Sequence, residues 1–315
     1  MTTDAGAPAP RVVSLLPAAT EIVAALGAIR QLVGVTHECD HPSGAMHLPR
    51  VTASAIDREA TSAAIDADVR ALAAAGAPVF TLDAALVASL APQVLLTQSV
   101  CEVCALPERE VDRAVAALAV APAVVSLGGT TLEGVWADVR RVGDAIGRRA
   151  EADALIASST ARVRRVHETL KAARAPRPRV AVIEWIDPLF AAGHWSPELM
   201  RRAGGIDVLA EPGAHSVQID IAAVREADPE VLLFAPCGFD VGRAAREAEA
   251  VLETEAWRWA RGRVAWALDG NALTSRPGPR LVDAIEVMAA IFAPGLFERP
   301  AGCYARRVLQ GGQTP

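Results

Sequence analysis

Short apolar runs rich in Val, Ile and Leu alternate with amphipathic stretches along this chain: "RVVSLL" (11–16), "LVGV" (32–35), "PVFTL" (78–82), "QVLLT" (93–97) and "AVVSL" (123–127). Each is followed by a turn or a helical pattern, which predicts parallel strands joined by crossover helices in an α/β layer. A second set follows at "RVAVIEW" (179–185), "EVLLFAP" (230–236) and "RVAWAL" (263–268), so the chain has either two sheets or one very wide one. Two internal echoes favour two lobes. "VASLAPQVLLTQSVC" from Val87 resembles "VREADPEVLLFAPCG" from Val224, and "PRVVSLL" resembles "PRVAVIE".

Between the two sets runs "EADALIASSTARVRRVHETLKAAR" (151–174), whose Leu155, Ile156, Val163, Val166 and Leu170 fall on one helical face. A helix of that length is a rod of roughly 36 Å. "APRPR" (175–179) ends it, because its prolines cannot continue a helix. The expected organisation is a flexible leader (1–10), an N-terminal α/β lobe (11–149), a linking helix (150–175), a C-terminal α/β lobe (176–298) and a tail (299–315). The fold class expected is α/β: two Rossmann-like lobes with parallel sheets, joined by a single long helix, with a ligand cleft between them.

Composition narrows the function. With 315 residues, 52% of them hydrophobic, the chain can bury a sizeable core. A formal net charge of -6, with arginines scattered through helical stretches, argues against nucleic acid as a partner. No apolar run reaches the length of a bilayer span, "VVSLLPAATEIVAALGAI" being interrupted by Pro17, Thr20 and Glu21. "MTTDAGAPAPRVV" lacks the basic and apolar regions of an export signal, so the chain as written is expected in the cytoplasm, as a monomer. Five cysteines without disulfide-like spacing suit reduced thiols.

In open α/β sheets ligands bind beyond the carboxyl ends of strands. The loops in those places are "THECDHP" (36–42), "QSVCEVC" (98–104), "EWIDPLFAAGHW" (184–195), "PCGFD" (236–240) and "DGNALTSRPGPR" (269–280). They hold four of the five cysteines, three of the six histidines and two of the six tryptophans. The candidate ligand-binding residues are therefore Thr36, His37, Glu38, Cys39, Asp40, Gln98, Cys101, Glu102, Cys104, Glu184, Trp185, His194, Trp195, Cys237, Asp269, Asn271 and Arg276. Trp185 and Trp195 are expected to form aromatic walls. Cys101 and Cys104 make a CxxC that, with His37, Cys39, His194 or Cys237, offers a metal site for zinc or iron. The same pair is open to a redox reading, although Glu102 and the acids of "PEREV" oppose thiolate formation. No GxSxG, GxGxxG or Walker loop is present, and no catalytic residue is assigned.

"PRVVSLLPAATEIVAALGAIRQLVGVTHECDHP" resembles the opening of the class III substrate-binding proteins, the periplasmic ferric-siderophore, haem and cobalamin receptors of ABC importers. The long helix, "AGG" at Ala203 to Gly205, "ADPEVLL" and "RPGPRLVDAIEVMA" continue the resemblance over about residues 10–294. The cobalamin and ferric-siderophore branch is the most similar. The resemblance implies a vitamin- or iron-uptake binding protein that clamps a corrinoid or metal chelate, with cobalamin or haem as bound group and an ABC permease as partner. It implies ligand contacts on Thr36 to Asp40, Glu184 to Trp195 and Asp269 to Arg280. The family's usual location is periplasmic or cell-surface. The sulfur set "HEC", "CEVC" and "PCG" is additional to the family pattern and keeps open a second class, a cytoplasmic metal- or thiol-dependent enzyme on the same scaffold using Cys101, Cys104, His37 and Glu38.

Overall fold

The computed structural model describes residues 8–100, 106 and 108–308. The chain divides into two compact units. The N-terminal unit comprises the residues up to Asp57 with Val69–Gly129 and Gly134–Ile156; the C-terminal unit comprises Arg58–Asp68, Thr130–Glu133 and the residues from Ala157 onward.

The elements of the first half are β1 (Val12–Ser14), α1 (Pro17–Ala25), β2 (Leu32–Val35), β3 (Thr52–Ser54), α2 (Ser62–Ala74), β4 (Phe80–Leu82), α3 (Ala84–Leu90), β5 (Val94–Gln98), α4 (Glu108–Ala116), β6 (Ala123–Leu127), α5 (Leu132–Ala145) and α6 (Arg149–Ala172). Local chemistry sets several boundaries. Pro17 opens α1, where a missing N–H costs no hydrogen bond, and Asp83 caps α3 by accepting from the Leu86 amide at 2.9 Å.

In the N-terminal unit four strands form a parallel sheet in the order β2-β1-β5-β6. β1 and most of β5 are buried, as the continuous apolar runs require for strands covered on both faces. One expected strand lies elsewhere. "PVFTL" contributes β4, which pairs antiparallel with β3 in a separate two-stranded ribbon. The burial pattern gives the reason: Phe80 and Leu82 pack on the core cluster of Val13, Val51 and Leu95 while Thr81 between them is exposed. That alternation belongs to a half-covered antiparallel ribbon.

The second half contains β7 (Arg179–Trp185), β8 (Phe190–Ala191), α7 (Ser196–Arg202), β9 (Ile206–Asp207), β10 (Val217–Gln218), α8 (Ile221–Glu226), β11 (Val231–Phe234), α9 (Val241–Glu253), β12 (Val264–Leu268), α10 (Gly270–Leu273), α11 (Leu281–Phe292) and β13 (Ala305–Arg307). The C-terminal sheet runs β10-β8-β7-β11-β12-β13, with β9 also on β7. Its centre, β7-β11-β12, is parallel as expected. Its margins differ, since β8, β10 and β13 join antiparallel. These short edge strands shield a parallel core whose centre is Phe234, Phe239, Leu232 and Ile183. α11 lies almost wholly buried against the unit, consistent with its near-continuous apolar sequence.

The expected long helix is α6, whose residues to Ile156 group with the N-terminal unit and those from Ala157 with the C-terminal one. Within the C-terminal unit it is tied to α11: the Arg162 guanidinium donates to Asp283 Oδ1 at 2.6 Å and to both carboxylate oxygens of Glu286. Those carboxylates raise the Arg162 pKa further, Glu286 contributing most. Two pieces of the first half also belong to the C-terminal unit. Arg243 donates to the carbonyls of Arg58 and Ala60, and Glu247 accepts from the Ser62 amide at 3.1 Å. Glu198, buried, accepts from the Leu132 amide at 2.9 Å and so caps the start of α5.

Candidate functional site

In each unit most of the described candidate residues lie at or beyond the carboxyl ends of the parallel strands. In the N-terminal unit, Thr36 to Asp40 follow β2 and Gln98 ends β5. Thr36 is buried, and its hydroxyl accepts from Thr52 Oγ1 at 2.8 Å. Thr52 lies 2.7 Å from His37 Nδ1 and accepts the His37 amide at 3.0 Å. Arg50 donates to the Thr36 carbonyl at 2.9 Å. The imidazole is thus fixed in orientation by a threonine pair and packs on Phe80 with ring centroids 5.3 Å apart. Its Nε2 is 3.6 Å from Glu38 Oε1. Asp40 is exposed and Gln98 half-buried.

Cys39 takes a different place from the one expected for a ligand or metal donor. It is 1% exposed, and its Sγ is 3.0 Å from Thr20 Oγ1, which in turn donates to Ser14 Oγ at 2.9 Å. A small, weakly polar thiol fills the space under α1. Cys101, Glu102 and Cys104 lie outside the described residues. Among the described residues no group of three or more His, Cys, Asp and Glu is placed to hold a metal ion.

The C-terminal unit brings most of its candidates into one network. Cys237, after β11, donates its amide to the Glu184 carbonyl at 3.0 Å. Glu184 Oε2 lies 3.4 Å from the Gly193 amide. The Asn271 amide donates to the Phe239 carbonyl at 3.1 Å, and Gly238 donates to Ser275 Oγ at 3.3 Å. Backbone bonds therefore stitch the loops after β7, β11 and β12 into a single platform. Trp185 is half-buried on this platform, edge-on to Phe239 with centroids 5.4 Å apart. Phe239 also carries the Arg243 guanidinium over its ring, 3.4 Å from the centroid, a cation–π contact.

Three of the expected ligand-facing side chains serve as internal braces instead. Trp195 is 7% exposed and donates its indole Nε1–H to the Thr274 carbonyl at 2.7 Å, so it is no aromatic wall. A buried indole needs a partner for its N–H, and that carbonyl supplies it. Arg276 is 4% exposed and donates to Asn271 Oδ1 at 2.7 Å. Asp269 caps α10 by accepting from the Ala272 amide at 2.7 Å, and burial holds its carboxyl above the ordinary range. His194, at a left-handed φ of 54°, has its amide on the Ala214 carbonyl at 2.6 Å. Burial, then the neighbouring His215, lowers its pKa and favours the neutral ring.

Sequence reading missed Thr52, Phe239, Arg243 and His215. Thr52 had a weak signal in the alternation of the β3 segment; the others become neighbours of the site only through tertiary contacts.

The sequence model of the family described as "Periplasmic binding protein" matches residues 12–259. Among solved structures, a periplasmic heme binding protein from Pseudomonas aeruginosa is similar with a TM-score of 0.72 and 22% identity, covering 97% of this chain and all of that one. The periplasmic vitamin B12 binding protein of Vibrio cholerae is similar with a TM-score of 0.62 and 20% identity over 90% of this chain and 97% of that one. A periplasmic heme-binding protein from Roseiflexus sp. RS-1 gives a TM-score of 0.63 at 21% identity, covering 90% and 98%. A search of curated protein sequences finds no match.

Proposed function

This chain belongs to the periplasmic binding protein family, and we propose that it is the binding component of an ABC-type importer for a metal-containing macrocycle, a haem or a corrinoid. The observation that carries the proposal is the platform in the C-terminal unit, where Trp185, Cys237 and Asn271 sit at the carboxyl ends of three parallel strands on a backbone locked by hydrogen bonds. A half-buried indole offers an apolar face to a flat ring, and an amide such as that of Asn271 suits the polar margin of one. The similar solved structures are periplasmic heme and vitamin B12 binding proteins, which supports the same ligand class.

In the N-terminal unit the His37 imidazole, held by Thr52, is the second group assigned to ligand contact. Binding without catalysis is the activity proposed, with a membrane permease as partner. In this reading the protein acts outside the cytoplasm, where the family's name places its members, in place of the cytoplasmic location expected from the leader. No helix among the described residues is long and apolar enough to cross a membrane.

Titration of the purified chain with haem and with a corrinoid, followed by visible absorption, tests the proposal. A saturable band shift with either supports it; linear, unsaturable spectra with both contradict it.

A further inference from the structure

Two histidines in the C-terminal unit meet in a geometry that the proposed macrocycle binding does not use. His194 lies in the segment between β8 and α7, and His215 in the segment before β10. Their ring centroids are 5.4 Å apart and their planes are at 90°. We propose that His194 and His215 are the protein donors of a site for a divalent transition-metal ion of the Zn2+ type, independent of the macrocycle.

The distance fits shared coordination. A metal–nitrogen bond of about 2.1 Å puts an imidazole centroid about 3.2 Å from the ion, and two such rings at a tetrahedral angle stand about 5.2 Å apart. Edge-to-face packing of two rings covers the same separation, so the distance alone does not mark a metal site.

The second observation is a missing partner. The Nε2 atom of His194 is buried and has no hydrogen-bond partner among the described residues. A buried ring nitrogen without a partner is costly, whereas a metal ion would satisfy it. The third is the backbone that holds it. His194 has φ of 54°, a conformation a side chain-bearing residue adopts at a cost. Its amide donates to Ala214 and its carbonyl accepts from Gly213 at 2.8 Å, so the segments bearing the two rings are clamped together. Gly193 completes the clamp, because a Cβ there would lie 2.3 Å from the Ser216 amide nitrogen. Trp195, on the other side, is anchored to Thr274. The imidazole is therefore placed before any ion arrives.

His215 is exposed, which leaves a route for the ion. Since no third His, Cys, Asp or Glu joins the pair among the described residues, the remaining coordination positions fall to water. Imidazole donors with open positions select Zn2+, Cu2+ or Ni2+ over Mg2+ or Ca2+.

The test is calorimetric titration of the untagged full chain with ZnCl2, performed on the unsubstituted chain and on a Cys101→Ser/Cys104→Ser variant that removes the competing CxxC pair. The variants His194→Asn and His215→Asn report on the pair; asparagine tolerates the left-handed backbone at 194, and circular dichroism checks that both fold. The expected result is one Zn2+ bound in the Cys101→Ser/Cys104→Ser background, weakened about tenfold or more by either histidine substitution, with Mg2+ giving no heat. Absence of Zn2+ binding in the Cys101→Ser/Cys104→Ser background overturns the proposal, as does affinity unchanged in both histidine variants. Haem or corrinoid titration of the same variants keeps this outcome separate from the macrocycle reading.

Discussion

The indole of Trp195 donates to the carbonyl of Thr274 at 2.7 Å, although 79 residues separate them. That bond ties the start of α7 to the end of α10, and both segments flank the platform of Trp185, Cys237 and Asn271. Trp195→Phe keeps an aromatic ring but deletes the donor and the volume of the pyrrole ring. The expected cost is at least about 1–3 kcal/mol, from the unpaired buried carbonyl and the lost packing, read as a lower midpoint in urea unfolding. An unchanged midpoint would remove the brace from the account.

Cys39 is buried against Thr20 under α1. Cys39→Ala is expected to lower stability by about 1 kcal/mol through lost packing while leaving ligand affinity within about twofold. Loss of ligand binding in a variant that stays folded would show that the thiol belongs to the site after all.

Asp207 gives a pH dependence of unusual sign. Its Oδ1 accepts from the Leu209 and Ala210 amides, while its Oδ2 is buried with no hydrogen-bond partner among the described residues. Burial pushes the carboxyl up from 3.8 to about 6. The folded state therefore holds this proton more tightly than the unfolded chain. Its contribution to stability grows as pH falls through about 6 and is complete below 3.8. At neutral pH the charged form costs on the order of 1–3 kcal/mol. Asp207→Asn should raise the thermal midpoint at pH 8 and flatten the dependence between pH 7 and 5. An identical pH profile in the variant would contradict the assignment.

Within the C-terminal unit Glu198 accepts from the Leu132 amide at 2.9 Å, and it also receives Arg202 at 2.9 Å. Glu198→Ala leaves a buried amide and a guanidinium without their acceptor. A loss of about 2–4 kcal/mol is expected, accompanied by faster hydrogen exchange at residues 130–133. Protection of the Leu132 amide at the original level would refute the cap.

The strands at the heart of both sheets were readable because buried parallel strands need continuous β-branched and aliphatic runs, as in "VLLT" and "VLLF". The edge strands were not, since β8, β9 and β10 are two residues each and carry no periodic signal. "PVFTL" looked like its neighbours in composition, and only the pairing of Phe80–Leu82 with Thr52–Ser54 sends it to a separate ribbon. The positions of the candidate loops followed from the carboxyl-end rule. The orientation of each side chain did not. Nothing near Trp185 or Trp195 in sequence says which indole turns inward, because the deciding acceptor is the carbonyl of Thr274. Cys39 is likewise claimed by Thr20, on the helix before it.

The central claim is that this folded chain holds a metal macrocycle. Native mass spectrometry of the purified protein incubated with haem, cobalamin and a ferric siderophore measures it directly. A saturable complex with haem or cobalamin is expected, with a Kd below about 1 µM, and weaker retention when Trp185 is replaced by alanine in a variant that remains folded. Protein that stays unliganded with both macrocycles, or that retains the siderophore alone, would contradict it.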